Sequence, residues 1–405
     1  MSLNEWKEVR LGEVCDINKE SYSAKEKWQY INYLDTGNIT ENKIESIQFL
    51  DTRTDKIPSR AKRKVYENDI IYSTVRPNQK HFGILKKPLD NMLVSTGFVV
   101  ITGKQAEVDN SFLYYYLTQQ YLVDMLHTIG EHSTSAYPSI KPSDIESLNA
   151  LIPPINEQKS IADTLSCLDD KIELNNQINK TLEEMAQAIF KSWFVDFEPF
   201  QDGEFVDSQL GRIPKGWRVG CLGDIANITM GQSPKGSSYN EKNEGTVFYQ
   251  GRTDFGWRYP KVRLYTTEPK RLANKGDVLL SVRAPVGDIN VAMENCCIGR
   301  GLAALNSKNN WNSYLLYQLL YLKDSFNVYN GEGTVFGSIN KSNLNNMQVL
   351  ISPDDIIADY QSIVENLDNI IENNVIQVRT LTNIRDTLLP KLMFGEIRIP
   401  IEEVQ

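Results

Sequence analysis

Two stretches of the chain carry apolar residues at alternating spacings of four and three. The first runs Ile161, Leu165, Leu168, Ile172, Asn175, Asn179, Leu182, Ala186, Ile189; the second runs Val364, Leu367, Ile371, Asn374, Val378, Leu381, Arg385, Leu388. That spacing keeps one stripe of a helix turned toward a partner, so each stretch is expected to be a long helix with a coiled-coil seam. Each seam has an Asn near its middle, Asn175 and Asn374. A buried Asn costs stability but fixes register, so the pair suggests that the two helices pack on each other. The spacer positions expected at the contact are Leu165, Leu168, Ile172, Asn175 and Leu182 on one helix, and Leu367, Ile371, Asn374, Val378 and Leu381 on the other. A helix from Asn156 to Asp196 would be roughly 60 Å long at about 1.5 Å per residue.

Outside these stretches the periodicity shortens to two or to short buried runs. Strands are expected at Asp69 to Val75, Gly97 to Ile101, Gly276 to Val282 and Leu302 to Leu305, with helices at 110–127 and 312–326. Ile152-Pro153-Pro154 and Ile351-Ser352-Pro353 then close each region and admit a long helix. The two regions align in order. Trp6 and Leu11-Gly12-Glu13 match Trp217 and Leu222-Gly223-Asp224. Asn68-Asp69 through Arg76-Pro77 matches Gly276-Asp277 through the Arg283-Ala284-Pro285 turn, and Ser139-Ile140 matches Ser338-Ile339. This is a tandem duplication of a unit of about 200 residues. The expected layout is a mixed α/β fold of the α+β kind: globular modules at 1–155 and 217–353, long helices at 156–198 and 354–394, a linker at 199–216 and a tail at 395–405.

Composition bounds the class. The chain has 405 residues, 41% of them hydrophobic, and a formal net charge of -9, which suits two soluble domains. No run of 18 apolar residues occurs and the start lacks a signal-like apolar stretch, so a cytoplasmic protein without membrane contact is expected. The charge is divided unevenly. Residues 156–205 hold 4 basic and 11 acidic groups and residues 354–405 hold 4 and 10, whereas residues 206–353 hold 17 basic and 11 acidic. Residues 1–155 hold 18 basic and 20 acidic groups, so acid lies on the helices while the two modules together carry a small positive balance, and phosphate contact needs local rather than total positive charge. Five cysteines without a C-x-x-C pair and three histidines leave little metal chemistry, so no metal site is expected.

No phosphate-binding loop, zinc-protease motif, nucleophile elbow or Asn/Asp-Pro-Pro-Tyr tetrad is present, and no catalytic residue is expected. Candidate DNA contacts cluster instead. In the first module they are Arg53, Arg60, Lys62, Arg63 and Lys64, then Arg76, Asn78, Gln79, Lys80 and His81 after a strand. In the second they are Arg252, Arg258, Tyr259, Lys261 and Arg263, followed by Arg283 and Arg300. Arg and Lys neutralise phosphates, while Arg, Asn, Gln and His also meet base edges. Ser133 to Tyr137 and Thr334 to Ser338 are weaker loop candidates. The apolar helix ends, with Phe190, Trp193, Phe194, Leu392 and Phe394, exceed what a two-helix contact would bury and are expected to dock another protein.

The Leu-Gly-Glu/Asp openings, the Asp277 to Arg283 strand, the Gly-Glu loops before Ser-Ile, and above all Ile189-Phe190-Lys191-Ser192-Trp193-Phe194-Val195-Asp196-Phe197 resemble the specificity subunits of type I restriction-modification systems. The resemblance covers essentially the whole chain. It implies two target-recognition domains, each reading half of a bipartite double-stranded DNA sequence, joined by two antiparallel helices that set the gap. It also implies two adenine methyltransferase subunits as partners, together with restriction subunits. S-adenosylmethionine, ATP and Mg would belong to those partners, and this chain would bind none. The rival expectations are a self-contained DNA adenine methyltransferase and a coiled-coil assembly protein with no nucleic-acid role.

Overall fold

The computed structural model describes residues 6–133, 137–331 and 337–399. The chain divides into two units: residues 1–174 with 377–405, and residues 175–376. Each unit therefore owns one globular module and part of both long helices.

In the first unit a four-stranded antiparallel sheet has the order Cys15–Ile17, Phe98–Gly103, Asp69–Ser73, Phe82–Leu85. Asp69–Ser73 and Phe82–Leu85 are buried throughout, which is why they read as unbroken runs and not as alternation. A second sheet has the order Gln48–Asp51, Tyr30–Leu34, Met92–Ser95, Ala61–Lys64, with Met92–Ser95 parallel to Tyr30–Leu34. A third pair joins Lys7–Arg10 to Asn149–Ile152. The second unit repeats this plan. Its first sheet runs Ala226–Met230, Leu302–Ser307, Val278–Ser281, Ile289–Val291, its closing pair is Arg218–Cys221 with Gln348–Ile351, and its other sheet again holds one parallel pair, Thr246–Tyr249 with Cys296–Ile298.

The recurring phrases have local physical causes. A Cβ on Gly12 would lie 3.2 Å from Glu146 Cβ and 3.3 Å from its carbonyl oxygen; one on Gly223 would lie 3.2 Å from the Asn345 carbonyl oxygen. In each unit the Leu-Gly helical turn is thus pressed against the short helix that precedes the closing strand. Asn68 and Gly276, aligned in the duplication, both adopt a left-handed backbone, with φ of 65° and 86°. Asn and Gly tolerate that conformation best, so the exchange between halves is conservative. The next residue, Asp69 or Asp277, is buried and accepts a backbone N–H from the turn before it, from Tyr66 and Asn274 respectively, each at 2.8 Å. Burial raises the pKa of both carboxyls. The aligned Ser139 and Ser338 also bridge to equivalent positions, Val75 and Arg283.

The long helices span Ile155–Phe194 and Asp354–Met393. Every seam position of the sequence pattern is buried or half-buried, while most intervening ones are exposed. In the first unit Arg385 Nη1 donates to Asp169 Oδ1 at 2.8 Å and Arg398 pairs with Glu157 at 2.7 Å. In the second, Asn374 Nδ2 donates to Asn179 Oδ1 at 2.9 Å and the Tyr360 hydroxyl to the Ala186 carbonyl at 3.3 Å. Rising numbers on one helix meet falling numbers on the other, so within each unit the segments run antiparallel. The Asn partner of Asn374 is Asn179, and Asn175 is buried in the same unit.

Three local expectations change. The stretch read as a linker at 199–216 holds a hairpin, Phe205–Ser208 with Gly211–Pro214. The helix expected at 110–127 is two helices, Asn110–Leu117 and Gln120–Glu131. The one at 312–326 is α-helical over Asn312–Tyr321 and tightens to a 3₁₀ helix over Lys323–Tyr329.

Candidate nucleic-acid interface

Of the candidate DNA contacts in the first module, Arg53, Arg60, Lys62, Asn78 and Gln79 are exposed. Arg53 makes a two-point contact with Asp51, which holds the 51–55 turn while leaving the arginine side chain 77% exposed. Arg63 is half-buried. Lys64 is committed elsewhere: it pairs with Glu26 at 2.7 Å, lies near Glu20 and sits over the Trp28 ring. Arg76 has a left-handed backbone and stacks its guanidinium 4.5 Å from the Tyr137 ring centre. Lys80 pairs with Glu41 at 2.8 Å. His81 Nδ1 lies 2.6 Å from the Ile39 carbonyl, so it fastens a loop.

In the second module Arg252, Lys261, Arg263, Arg283 and Arg300 are exposed. Arg252 meets Asp288, and Arg263 meets the buried Asp254 at 2.9 Å. Arg258 and Tyr259 do not face solvent, which corrects their reading as DNA contacts. Arg258 is 4% exposed, donating to Glu183 Oε1 at 3.1 Å and to the Tyr317 hydroxyl at 3.2 Å, and also meeting Asp368 at 2.5 Å. It ties the module to both long helices of its unit. Burial alone would lower its pKa, but Asp368 and the neighbouring tyrosines hold it above the ordinary guanidinium value. Desolvation raises Glu183, with Arg258 opposing. The first unit has a related knot. Its Tyr115, aligned with Tyr317, donates to Asp169 at 2.7 Å, and Asp169 aligns with Asp368. There the cation is Arg385, from the other helix.

The docking expectation also needs correction. Phe190 and Phe194 are buried with Trp217, Tyr314 and Tyr360 in the core of the second unit, and Trp193 is half-buried against them. Leu392 is buried in the first unit's core. Only Phe394 remains exposed, its ring 5.5 Å from Tyr121. The modules consume these aromatics because each sheet leaves an apolar face that its helix segment must cover. The weaker loop candidates at 133–137 and 334–338 lie in large part outside the described residues.

A family model for the type I restriction modification DNA specificity domain matches residues 4–184 and again 214–382. The chain belongs to that family. The type I restriction enzyme MjaIX specificity subunit of Methanocaldococcus jannaschii is 29% identical over 411 residues, 96% of this chain and 92% of that one. The HindI specificity subunit of Haemophilus influenzae is 26% identical across 98% of this chain and 100% of its own. The fold is shared with a crystal structure of a type I restriction-modification S subunit from M. genitalium, at a TM-score of 0.63, 19% identity and 96% coverage of both chains. The double match falls on the two copies of the duplication. Among the described residues no helix is long and apolar enough to cross a membrane, and no cluster of His, Cys, Asp or Glu is suited to a metal ion.

Sequence reasoning passed over Tyr22, Lys27 and Trp28, which stand beside Arg53 and Lys62. The alternation Lys25-Glu26-Lys27-Trp28 was a legible signal of a basic, aromatic surface.

Proposed function

We propose that this chain is the specificity component of a type I restriction-modification complex. Each module reads one half of a bipartite DNA sequence, the long helices set the gap, and partner subunits carry methyl transfer and cleavage with S-adenosylmethionine, ATP and Mg. The observation that carries this reading is one scaffold built twice with unlike surfaces. The sheet order recurs while the exposed residues differ: Arg53, Lys62, Asn78 and Gln79 in one copy, Arg252, Lys261 and Arg283 in the other, where the turn aligned with Asn78 and Gln79 is the buried Val286 and Gly287. A shared scaffold with different contacts suits two different half-sites. Docking of two methyltransferase subunits we assign to apolar residues left exposed along the helices, Leu174, Ile178 and Met185 on one and Ile363, Ile370 and Ile384 on the other. The complex would act in the cytoplasm, where its DNA lies.

The test is to express the chain with its methyltransferase partners and sequence N6-methyladenine across the host genome. A single bipartite motif is the expected result, and methylation without a fixed gap refutes the reading. Removing seven residues from each helix shortens it by about 10 Å, so the gap should shrink by about three base pairs with both half-sites unchanged.

A further inference from the structure

The first unit contains a cavity of about 530 Å³ that joins two of the candidate DNA contacts, Arg53 and Lys62, to Tyr22, Lys27 and Trp28. Its floor is apolar: Tyr22 and Trp28, whose rings lie 4.7 Å apart, with Ile57, Pro58 and the buried Ala61. Three exposed cations, Lys27, Arg53 and Lys62, line it; no carboxylate lines it among the described residues, and Asp51, outside the lining, holds Arg53 at 2.9 Å.

The cavity is held in shape. The Thr52 hydroxyl donates to the Trp28 carbonyl at 2.6 Å, and Thr52 N–H donates to the Gln29 carbonyl at 3.0 Å. These bonds lock the Trp28 loop to the turn that carries Arg53, which Asp51 fixes in turn. Tyr22 N–H donates to the Lys62 carbonyl at 2.7 Å, anchoring the opposite wall. Lys27 adopts a left-handed backbone, φ 53°, which a lysine takes only where its surroundings demand it. Lys64, by contrast, is neutralised by Glu26 and packs on Trp28 as part of the wall.

We infer that this cavity seats the sugar–phosphate ridge of one DNA strand at the first half-site. A backbone ridge presents apolar deoxyribose flanked by anionic phosphates, the complement of an apolar floor with a cationic rim. With Tyr22 and Lys64 already packed on Trp28, its ring serves as floor and not as a stacking platform for a base. The cavity therefore positions DNA without reading sequence. This assignment rests on the DNA-reading function proposed above.

The test compares the full-length chain with K27A/R53A/K62A and with a charge-matched control on the first long helix, K159A/K171A/K180A. The probe is a fluorescent 40-base-pair duplex pool of randomised sequence, titrated between 50 and 200 mM KCl, followed by selection and sequencing of the bound pool. Three lost phosphate contacts flatten the logarithmic salt slope by about 2.7, so the variant's deficit should shrink about 40-fold across that range. The selected motif should stay the same and the control should keep the wild-type slope. An unchanged slope in the cavity variant, an equal flattening in the control, or an altered first half-site each overturns the assignment. The first two leave DNA reading intact. Failure of the wild-type chain to bind any duplex would instead remove the reading beneath it.

Discussion

Replacing Arg258 by Met should destabilise the second unit far more than a surface charge would. The guanidinium is buried between Glu183, Asp368 and Tyr317, from the two long helices and the helix Asn312–Tyr321. Removing one partner of a buried ion pair costs about 3–5 kcal/mol, because the remaining charge stays out of water. Two carboxylates are orphaned here, so the upper part of that range is expected. The triple variant R258M/E183Q/D368N should recover at least half of the loss, since the uncompensated charges go with the cation. The pH dependence has a definite sign. Burial already raises Glu183 above its ordinary value of 4.5 in the folded state, so the folded protein binds that proton more tightly than the unfolded one. Stability from this group is then present at low pH and is lost as pH rises through the shifted range. Without Arg258 the shift grows, so the deficit of R258M should be smaller at pH 5 than at pH 7.5. Urea unfolding followed by hydrogen exchange in 354–376 measures both quantities. A loss below about 1 kcal/mol that does not change with pH would refute the argument that this arginine balances buried charge.

Phe194→Ala should cost the second unit about 3–5 kcal/mol by opening a cavity among Trp217, Tyr314 and Tyr360; differential scanning calorimetry checks it, and a stable variant that merely fails to bind a methyltransferase would restore the docking role. Gly276→Ala places a Cβ at φ 86° and should destabilise by about 1 kcal/mol, whereas Asn68→Gly, at the aligned position, should change stability by a few tenths; chemical denaturation of each variant separates them. Ile370→Glu, on an exposed helix position, should leave the melting temperature within a degree or two and weaken capture of the methyltransferase partner in co-purification.

How much the sequence disclosed varied with the kind of interaction. The duplication was legible because it is written in backbone constraints: Gly12 and Gly223 permit close approach, and Asn68 and Gly276 permit a left-handed turn. A buried stripe on each long helix was legible because burial of a helix face follows a fixed period, as Leu165 and Ile371 show. Side-chain fate was not. Arg258 reads like its exposed neighbours Lys261 and Arg263, and only its distant partners Glu183 and Asp368 turn it inward. Phe190 and Phe194 looked surplus to a two-helix seam because two of the residues that cover them, Tyr314 and Tyr360, lie more than a hundred residues further along the chain. The cavity at Trp28 needs residues 22–28 and 52–62 together, and sequence order alone does not bring them into one wall.

The first unit is discontinuous in the chain: Leu392 and Met393 fill the same core as Leu11 and Ile161, and Arg398 lies over the Trp6 ring and grips Glu157. The second unit is a single uninterrupted stretch. During synthesis the N-terminal core must therefore wait, unfinished, until its last segment emerges, while the later-made unit can close first. The usual order of domain maturation on the ribosome, first-made first, is thereby blurred: Trp6 and the strand Lys7–Arg10 find partners by residue 157, but the last pieces of their core come from the end of the second long helix.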